Sequence, residues 1–314
     1  IALKPDYLDA YNNRGFTYAE LRQYDKALVD YTKAIALRPG QPSPYSNRAV
    51  VYADLQQYDQ AIADYAKAIA LKPDWAEAYY NRGVIYADLK QYDRAIADCT
   101  KTIELKPDYA QAYLYRGLAY TELKRYDQAL ADYTKAIELG PDCAELYCLR
   151  GRVYADLKQY DKAIADHKRA TELKAEFADA WVNLTWNLYL TGRLNEAITA
   201  ARKGLKRFPD SEYLTGNLAI ALLTSGKDEE AVAQYRRLVQ IGAQRALDGG
   251  CGKDLSDLVV KRPELGLAHF CIGLLYDGAG QKAEAITEYQ TYLKAQPQGK
   301  YAAESRARLE ALQP

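Results

Sequence analysis

The sequence predicts an all-α fold, a solenoid of stacked helix–turn–helix units, on three observations. Prolines stand at 5, 39, 73, 107 and 141, a constant spacing of 34 residues, and self-similarity at such a period is the mark of a repeat architecture. Within each period, two segments carry apolar residues at helical spacing. Between them a recurrent "QYD", once "RYD", supplies a turn.

With the closing proline as position 32, the five units 8–41, 42–75, 76–109, 110–143 and 144–177 (together 8–177) are near-identical. Position 175 is Ala, Pro209 resumes the series, and Pro263 and Pro297 are again 34 apart. Two divergent units follow at 178–211 and 212–245 (together 178–245), then a shortened degenerate unit at 246–265, a full unit at 266–299 and a capping segment at 300–314. The opening "IALKP" recurs as Ile69–Pro73, where it closes a unit, and the chain has no Met. Residues 1–7 are therefore read as the end of a truncated preceding repeat, and the chain as a piece of a longer protein.

The first helix of each near-identical unit carries Tyr at positions 4 (Tyr11, Tyr45, Tyr79, Tyr113, Tyr147) and 11 (Tyr18, Tyr52, Tyr86, Tyr120, Tyr154). The second carries Tyr at 17 and Ala at 20, the latter being Ala27, Ala61, Ala95, Ala129 and Ala163. The aspartate of "QYD" (Asp25, Asp59, Asp93, Asp127, Asp161) is expected to cap the second helix. Asp74 with Glu77, and Asp108 with Gln111, are expected to form capping boxes for the first.

The stretch "AEAYYNRGVIYADLKQYDRAIADCTKTIELKP" (76–107) strongly resembles the tetratricopeptide repeat (TPR), and the resemblance covers nearly the whole chain. It implies a right-handed α-solenoid whose first helices line a concave groove. One such unit cannot bury its apolar face alone, whereas stacking produces a continuous core. In the divergent units Trp181, Thr185, Leu188 and Leu194, then Thr215, Ala219 and Leu222, take the conserved-spacing positions. The shortened unit keeps one plausible second helix, with Leu255 and Leu258 at core spacing, and its "DGGCG" should interrupt stacking. The segment 301–312 reads as a polar terminal helix.

Three residue types recur in the first helix although a packed helix should disfavour them. Gly15, Gly83, Gly117, Gly151 and Gly273 at position 8, with Ala49 in the second unit, predict close approach of the paired helix. Arg at 7 and Asp at 23 are present together in five units and lost together in the next two, as Leu184 with Ala200 and Leu218 with Gln234. That pattern predicts a bidentate Arg–Asp pair between helices. Asn at position 6 (Asn13, Asn47, Asn81, Asn183, Asn217) has two readings. A carboxamide can grip a peptide main chain, and some TPR superhelices use such a ladder; alternatively, it bonds within the solenoid wall.

The candidate peptide-binding residues are Asn13, Phe16, Asn47, Val50, Tyr80, Asn81, Val84, Leu114, Tyr115, Leu118, Trp186 and Tyr189, at positions 5, 6, 9 and 12. Leu114, Tyr115 and Leu118 are expected to cluster with Leu149, Trp186 and Tyr189. The dicarboxylate clamp by which some TPR cochaperones hold acidic chaperone tails does not fit. Its five positions are filled here by Asn12, Phe16, Asn47, Glu77 and Asn81, of which only Asn47 matches.

Lys plus Arg and Asp plus Glu each number 42, so no basic excess draws in nucleic acid or an anionic membrane. No apolar run reaches a membrane span. The cysteines lack paired C-x-x-C spacing, and no cofactor or metal is implied. His167 and His269 replace packing aromatics and are read as satisfied core residues rather than catalysts; Asp54, Asp88 and Asp156 read as a solvated edge. No catalytic residue is expected. The predicted function is a non-catalytic scaffold that holds an extended protein or peptide segment, neutral or apolar rather than acidic. A self-association module, or the targeting arm of a larger enzyme, remain alternatives. The cytoplasm is the favoured compartment.

Overall fold

The computed structural model describes residues 7–249 and 251–313, the side chains of 251 and 252 excepted. Residues 1–6 of the expected preceding repeat, and Gly250 of "DGGCG", lie outside the described residues. Among the described residues there are eighteen helices and no strand. The near-identical repeats form the pairs α1 (Leu8–Glu20) and α2 (Tyr24–Leu37), α3 (Pro42–Asp54) and α4 (Tyr58–Leu71), and α5 (Ala76–Asp88) and α6 (Tyr92–Leu105). The pairs α7 (Ala110–Glu122) and α8 (Tyr126–Leu139), and α9 (Ala144–Asp156) and α10 (Tyr160–Leu173), complete them. Next come α11 (Ala178–Leu190), α12 (Leu194–Leu205), α13 (Glu212–Thr224), α14 (Asp228–Asp248) and α15 (Cys251–Lys261). The chain closes with α16 (Leu267–Gly278), α17 (Lys282–Ala295) and α18 (Ala302–Leu312). Two compact units divide after Leu146; each is a solenoid of such pairs and is described by itself.

The periodic proline acts on the residue before it. Arg38, Lys72 and Lys106 take φ of −143°, −139° and −144° at the ends of α2, α4 and α6, the extended region that a following proline favours. Lys174 takes φ of −140° at the same place before Ala175, so in the near-identical repeats the second helix stops at one point with or without the ring.

Caps are where expectation and structure differ. The second helices begin at the tyrosine of "QYD", so Asp25, Asp59 and Asp93 lie inside the first turn and cap nothing by side chain. There a carboxylate is favoured by the positive helix end rather than by a capping bond. Asp74 and Asp108 likewise fall one residue too early: the N-caps of α5 and α7 are Trp75 and Tyr109, without a side-chain cap bond. Those rings are covered by the lysine three residues earlier, Lys72 at 5.4 Å and Lys106 at 5.1 Å, and this cation–π contact fixes the loop. Ser211 does cap by side chain, accepting from the Leu214 amide on α13.

The turn itself is a Schellman motif one residue ahead of the expected place. In the first repeat the Gln23 amide donates to Tyr18 and the Arg22 amide to Ala19, both at 2.8 Å, which satisfies two orphan carbonyls at the end of α1. Arg22, Gln56, Lys90, Lys124 and Lys158 hold the left-handed conformation there, with φ of 54–59°. Gly192 and Gly226 hold it in the divergent repeats, and Gly280 in the full unit at 266–299. This conformation costs an L-residue about 1–2 kcal/mol, against about 0.5–1 kcal/mol of added chain entropy for glycine. Lys90→Gly is therefore expected to stabilise the protein by about 0.5–1 kcal/mol, read as a higher urea midpoint. An unchanged or lower midpoint would remove the strain argument.

Small residues let the paired helices touch. Ala27, Ala61, Ala95, Ala129 and Ala163 are fully buried. A Cβ on Gly117 would stand 2.8 Å from the Tyr133 ring, and one on Gly273 2.7 Å from the Tyr289 ring. The ring at position 24 thus lies directly on the glycine, while in the second repeat Ala49 is buried in the same cluster as Tyr65. In the C-terminal unit a larger aliphatic core replaces this Ala/Tyr packing, with Leu214, Leu222, Leu223, Leu238 and Leu255 all buried. The expected interruption near "DGGCG" is the end of α14, and a second break sits inside α14 at Gly242. Leu255 and Leu258 of α15 are buried. At the far end Tyr301, just before α18, stacks on Phe270 at 4.7 Å.

Candidate functional site

Five arginines and five aspartates pair as the sequence predicts. In each near-identical repeat Nε and Nη2 of the arginine donate to the two oxygens of the aspartate sixteen residues on, at 2.6–2.8 Å. The hydrogen bonds of Asp98 hold the Arg82 guanidinium above its usual range, against the opposing effect of burial. What sequence reasoning missed is the packing around the pair. Arg82 lies against Tyr79 and Tyr86 at 5.8 and 5.9 Å, and Arg48, Arg116 and Arg150 lie between the equivalent rings. The tyrosines at positions 4 and 11 are therefore the walls of an arginine slot, and their spacing of three and four residues around Arg was the available signal. Arg48 and Arg116 also donate Nη1 at 3.0 Å to Thr32 and Thr100 on the preceding second helix. This set of contacts braces the solenoid wall on one side of the first helices.

The opposite side carries the candidate residues. In the N-terminal unit Asn13, Phe16 and Val50 are exposed, and Asn47, Tyr80, Asn81, Val84, Leu114, Tyr115 and Leu118 are half-buried. Adjacent first helices meet there: Asn47 Nδ2 donates to Asn12 Oδ1 at 3.1 Å, and Tyr80 meets Tyr115 edge-on at 5.7 Å. Tyr80 also packs on Tyr109 at 4.9 Å, and burial pushes its phenol up. In the C-terminal unit Trp186 and Tyr189 pack on each other at 5.3 Å.

The position-6 carboxamides make wall contacts of the second kind considered above. Asn183 Nδ2 contacts Cys148 Sγ at 3.7 Å, and Asn217 Nδ2 donates to Thr185 Oγ1 and the Val182 carbonyl at 2.9 and 3.2 Å. Asn47 commits one of its two N–H groups to Asn12, which leaves a donor and an acceptor.

At the solvated edge the sequence reading missed two tyrosine bonds. Tyr24 and Tyr92 donate their hydroxyls to Asp54 and Glu122 of the following repeat, at 3.2 and 3.4 Å.

The histidines need correction. His167 is fully buried, but neither ring nitrogen has a hydrogen-bond partner, so it is a core residue and not a satisfied one. Burial, with a smaller push from Arg152, lowers its pKa to about 4. His269 is partly exposed and its Nδ1 lies 2.6 Å from Glu288 Oε2. Glu288 occupies position 23, so the carboxylate slot recurs here with its partner moved from position 7 to position 4. Cys99 is buried and its thiol is pushed up to about 12, which makes it unreactive.

Comparison with known proteins gives the same architecture. The tetratricopeptide repeat model matches residues 8–41, 76–109 and 110–143, and a second TPR repeat model matches 51–90. A model of the bacterial transcriptional activator domain matches 135–261. No curated protein matches the chain. Among solved structures it is similar to MamA protein, with 26% identity and a TM-score of 0.51, covering 54% of this chain and 92% of that one. It is also similar to YrrB, described as a TPR protein with an unusual peptide-binding site, with 24% identity, a TM-score of 0.53 and coverage of 59% and 95%. The fold is shared by pilF of Pseudomonas aeruginosa, at 19% identity and a TM-score of 0.56, covering 66% and 94%. With the repeat motif matched in sequence and its helix pairs present throughout the described chain, the protein belongs to the tetratricopeptide-repeat family and is built as a protein-interaction scaffold.

Proposed function

We propose that this scaffold is non-catalytic and holds an extended peptide segment along the first-helix face of its N-terminal unit. Asn13, Asn47 and Asn81 bond the peptide main chain, and Phe16, Val50, Val84 and Leu118 receive its apolar side chains. In the C-terminal unit Trp186 and Tyr189 form a further apolar contact. The observation that carries this reading is the composition of the face. Positions 2, 5, 6, 9 and 13 of the first four repeats hold amide, hydroxyl, apolar and acidic side chains and no Lys or Arg. Asp9, Glu20, Asp54, Glu77, Asp88 and Glu122 edge it and are exposed. The carboxylate row at position 13, with Asp9 and Glu77 at the other edge (Glu77 lying 3.7 Å from Lys106), repels an acidic tail from this apolar and amide floor and favours a segment whose apolar residues are interspersed with basic ones.

A peptide array probed with the full chain tests this. Peptides of Leu, Val and Lys are expected to bind, Glu-rich ones are not, and the binding should weaken with salt. The change of Asn13, Asn47 and Asn81 to Ala should lower affinity at least tenfold while circular dichroism stays unchanged. Full retention of binding by that variant sinks the main-chain role of the asparagines. Mass that rises with concentration in light scattering would instead identify a self-association module.

A further inference from the structure

The Arg–Asp bracing of the wall opposite the first-helix face is missing in the sixth and seventh repeats. In the near-identical repeats the slot between position 4 and position 11 is filled by an arginine and its aspartate. In the sixth repeat the same slot holds Leu184 and Ala200, and its flanking rings are replaced by Trp181 and Leu188. These side chains are shorter or less polar than the ones they replace. A cleft of about 440 Å³ consequently opens between α10 and α12, with Ile164, Trp181, Leu184, Leu188 and Ala200 along its floor. Its walls carry Lys168 and Glu172 from α10, and Glu196, Thr199 and Lys203 from α12, with Arg193 at one end.

The charges on these walls are not balanced. Glu196 is held by Arg193 through two bonds of 2.7 and 2.8 Å, and Glu172 faces Arg169 at 3.6 Å. Lys168 and Lys203, one on each wall, make no ion pair within 4 Å among the described residues, although Lys168, after Arg193, also helps to lower the pKa of Glu196 on the facing wall. An apolar floor between these two ammonium groups suits an occupant with apolar side chains next to carboxylates. The lining runs from Ile164 to Glu172 on α10 and from Asn195 to Lys203 on α12, about 13 Å along each helix, which is the reach of two to three turns of a short peptide helix.

We propose that this cleft is a second docking site, independent of the first-helix face, for an acidic amphipathic segment of a partner protein. Its apolar side chains pack on Trp181, Leu184 and Leu188, and its carboxylates meet Lys168 and Lys203. The two faces then select opposite charge: basic residues on the first-helix side, acidic ones here.

A single substitution pair closes the cleft with chemistry the chain already uses. Leu184→Arg with Ala200→Asp restores the bidentate pair of the first five repeats. A phage-displayed library of 16-residue peptides is selected on the full wild-type chain and depleted on this closed variant, which removes binders of the first-helix face. The enriched sequences are expected to combine at least two Leu, Ile or Phe with adjacent Asp or Glu. Synthesised as fluorescein conjugates, they should bind the wild type and lose at least tenfold in affinity on Lys168→Glu with Lys203→Glu. That second variant also decides the matter if the closed one does not fold. No enrichment, enrichment of neutral or basic sequences, or equal affinity for the charge-reversed variant overturns the proposal. Wild-type self-association that the closed variant abolishes would overturn it as well, by making a second copy the occupant.

Discussion

Asp98→Ala is expected to lower stability by about 3–5 kcal/mol, because it strands the Arg82 guanidinium in a slot built for an ion pair. Arg82 and Asp98 have side-chain exposures of only 17% and 9%, so water cannot take over the lost bonds. Adding Arg82→Leu should return most of that loss, leaving the double variant within about 1 kcal/mol of the wild type. The double variant reproduces the Leu184 and Ala200 arrangement that the sixth repeat already carries, packed between Tyr79 and Tyr86 instead of Trp181 and Leu188. Urea unfolding of the wild type, both single variants and the double variant closes the cycle. Additive losses would mean that the pair is not a pair energetically, whatever its geometry.

His167→Tyr is expected to remove an acid sensitivity of about 3 kcal/mol. The folded-state pKa of His167 lies near 4, below its ordinary 6.5, so the unfolded chain binds the proton more readily. Its contribution to stability is therefore complete above pH 6.5 and is lost as the pH falls toward 4. Tyr fits the site by precedent, since Tyr31, Tyr65, Tyr133, Tyr235 and Tyr289 occupy the same position and are buried. Unfolding free energies of wild type and variant should diverge between pH 6.5 and pH 4, with the variant the flatter of the two. Parallel curves would show that another group governs the acid response.

Much of this fold is legible in one dimension because its contacts repeat at fixed separations. A bond between residues sixteen apart, repeated five times, leaves a statistical trace: Arg and Asp appear together and vanish together. The glycines at position 8 are legible for the same reason, each facing a ring or its replacement. The caps are less legible. Asp25 and Asp74 are good capping residues by type, but the Schellman turn and the Lys–aromatic stack place each helix start one residue away from them. Those motifs depend on backbone angles and ring packing, which residue type barely constrains; Arg, Gln and Lys all stand where glycine is expected. On the first-helix face, the repeat period puts Tyr80 and Tyr115 on one surface, but the cluster expected around Tyr115 does not include Tyr80, the ring it meets. The sequence does not reveal that Asn47 reaches Asn12, since either amide could turn the other way. The cleft beside Leu184 was visible only as a missing pair, and its emptiness is a matter of three-dimensional volume.

The sameness of the first five repeats also bears on how such a chain changes over generations. The Arg–Asp brace in this part of the molecule joins residues at one offset in all five repeats. Removal of residues 76–109 would bring Trp75 to the place of Tyr109 and Ala110 behind it, a junction of the same kind. Insertion of one more copy would be equally unremarkable to its neighbours. The number of repeats, and with it the length of the first-helix face, is thus free to vary by duplication in steps of 34 residues. The aliphatic core of the C-terminal unit has no such freedom: its Leu, Phe and Tyr side chains each fit one particular neighbour. Growth and loss are therefore confined to one part of the chain, and the other is held to a single length.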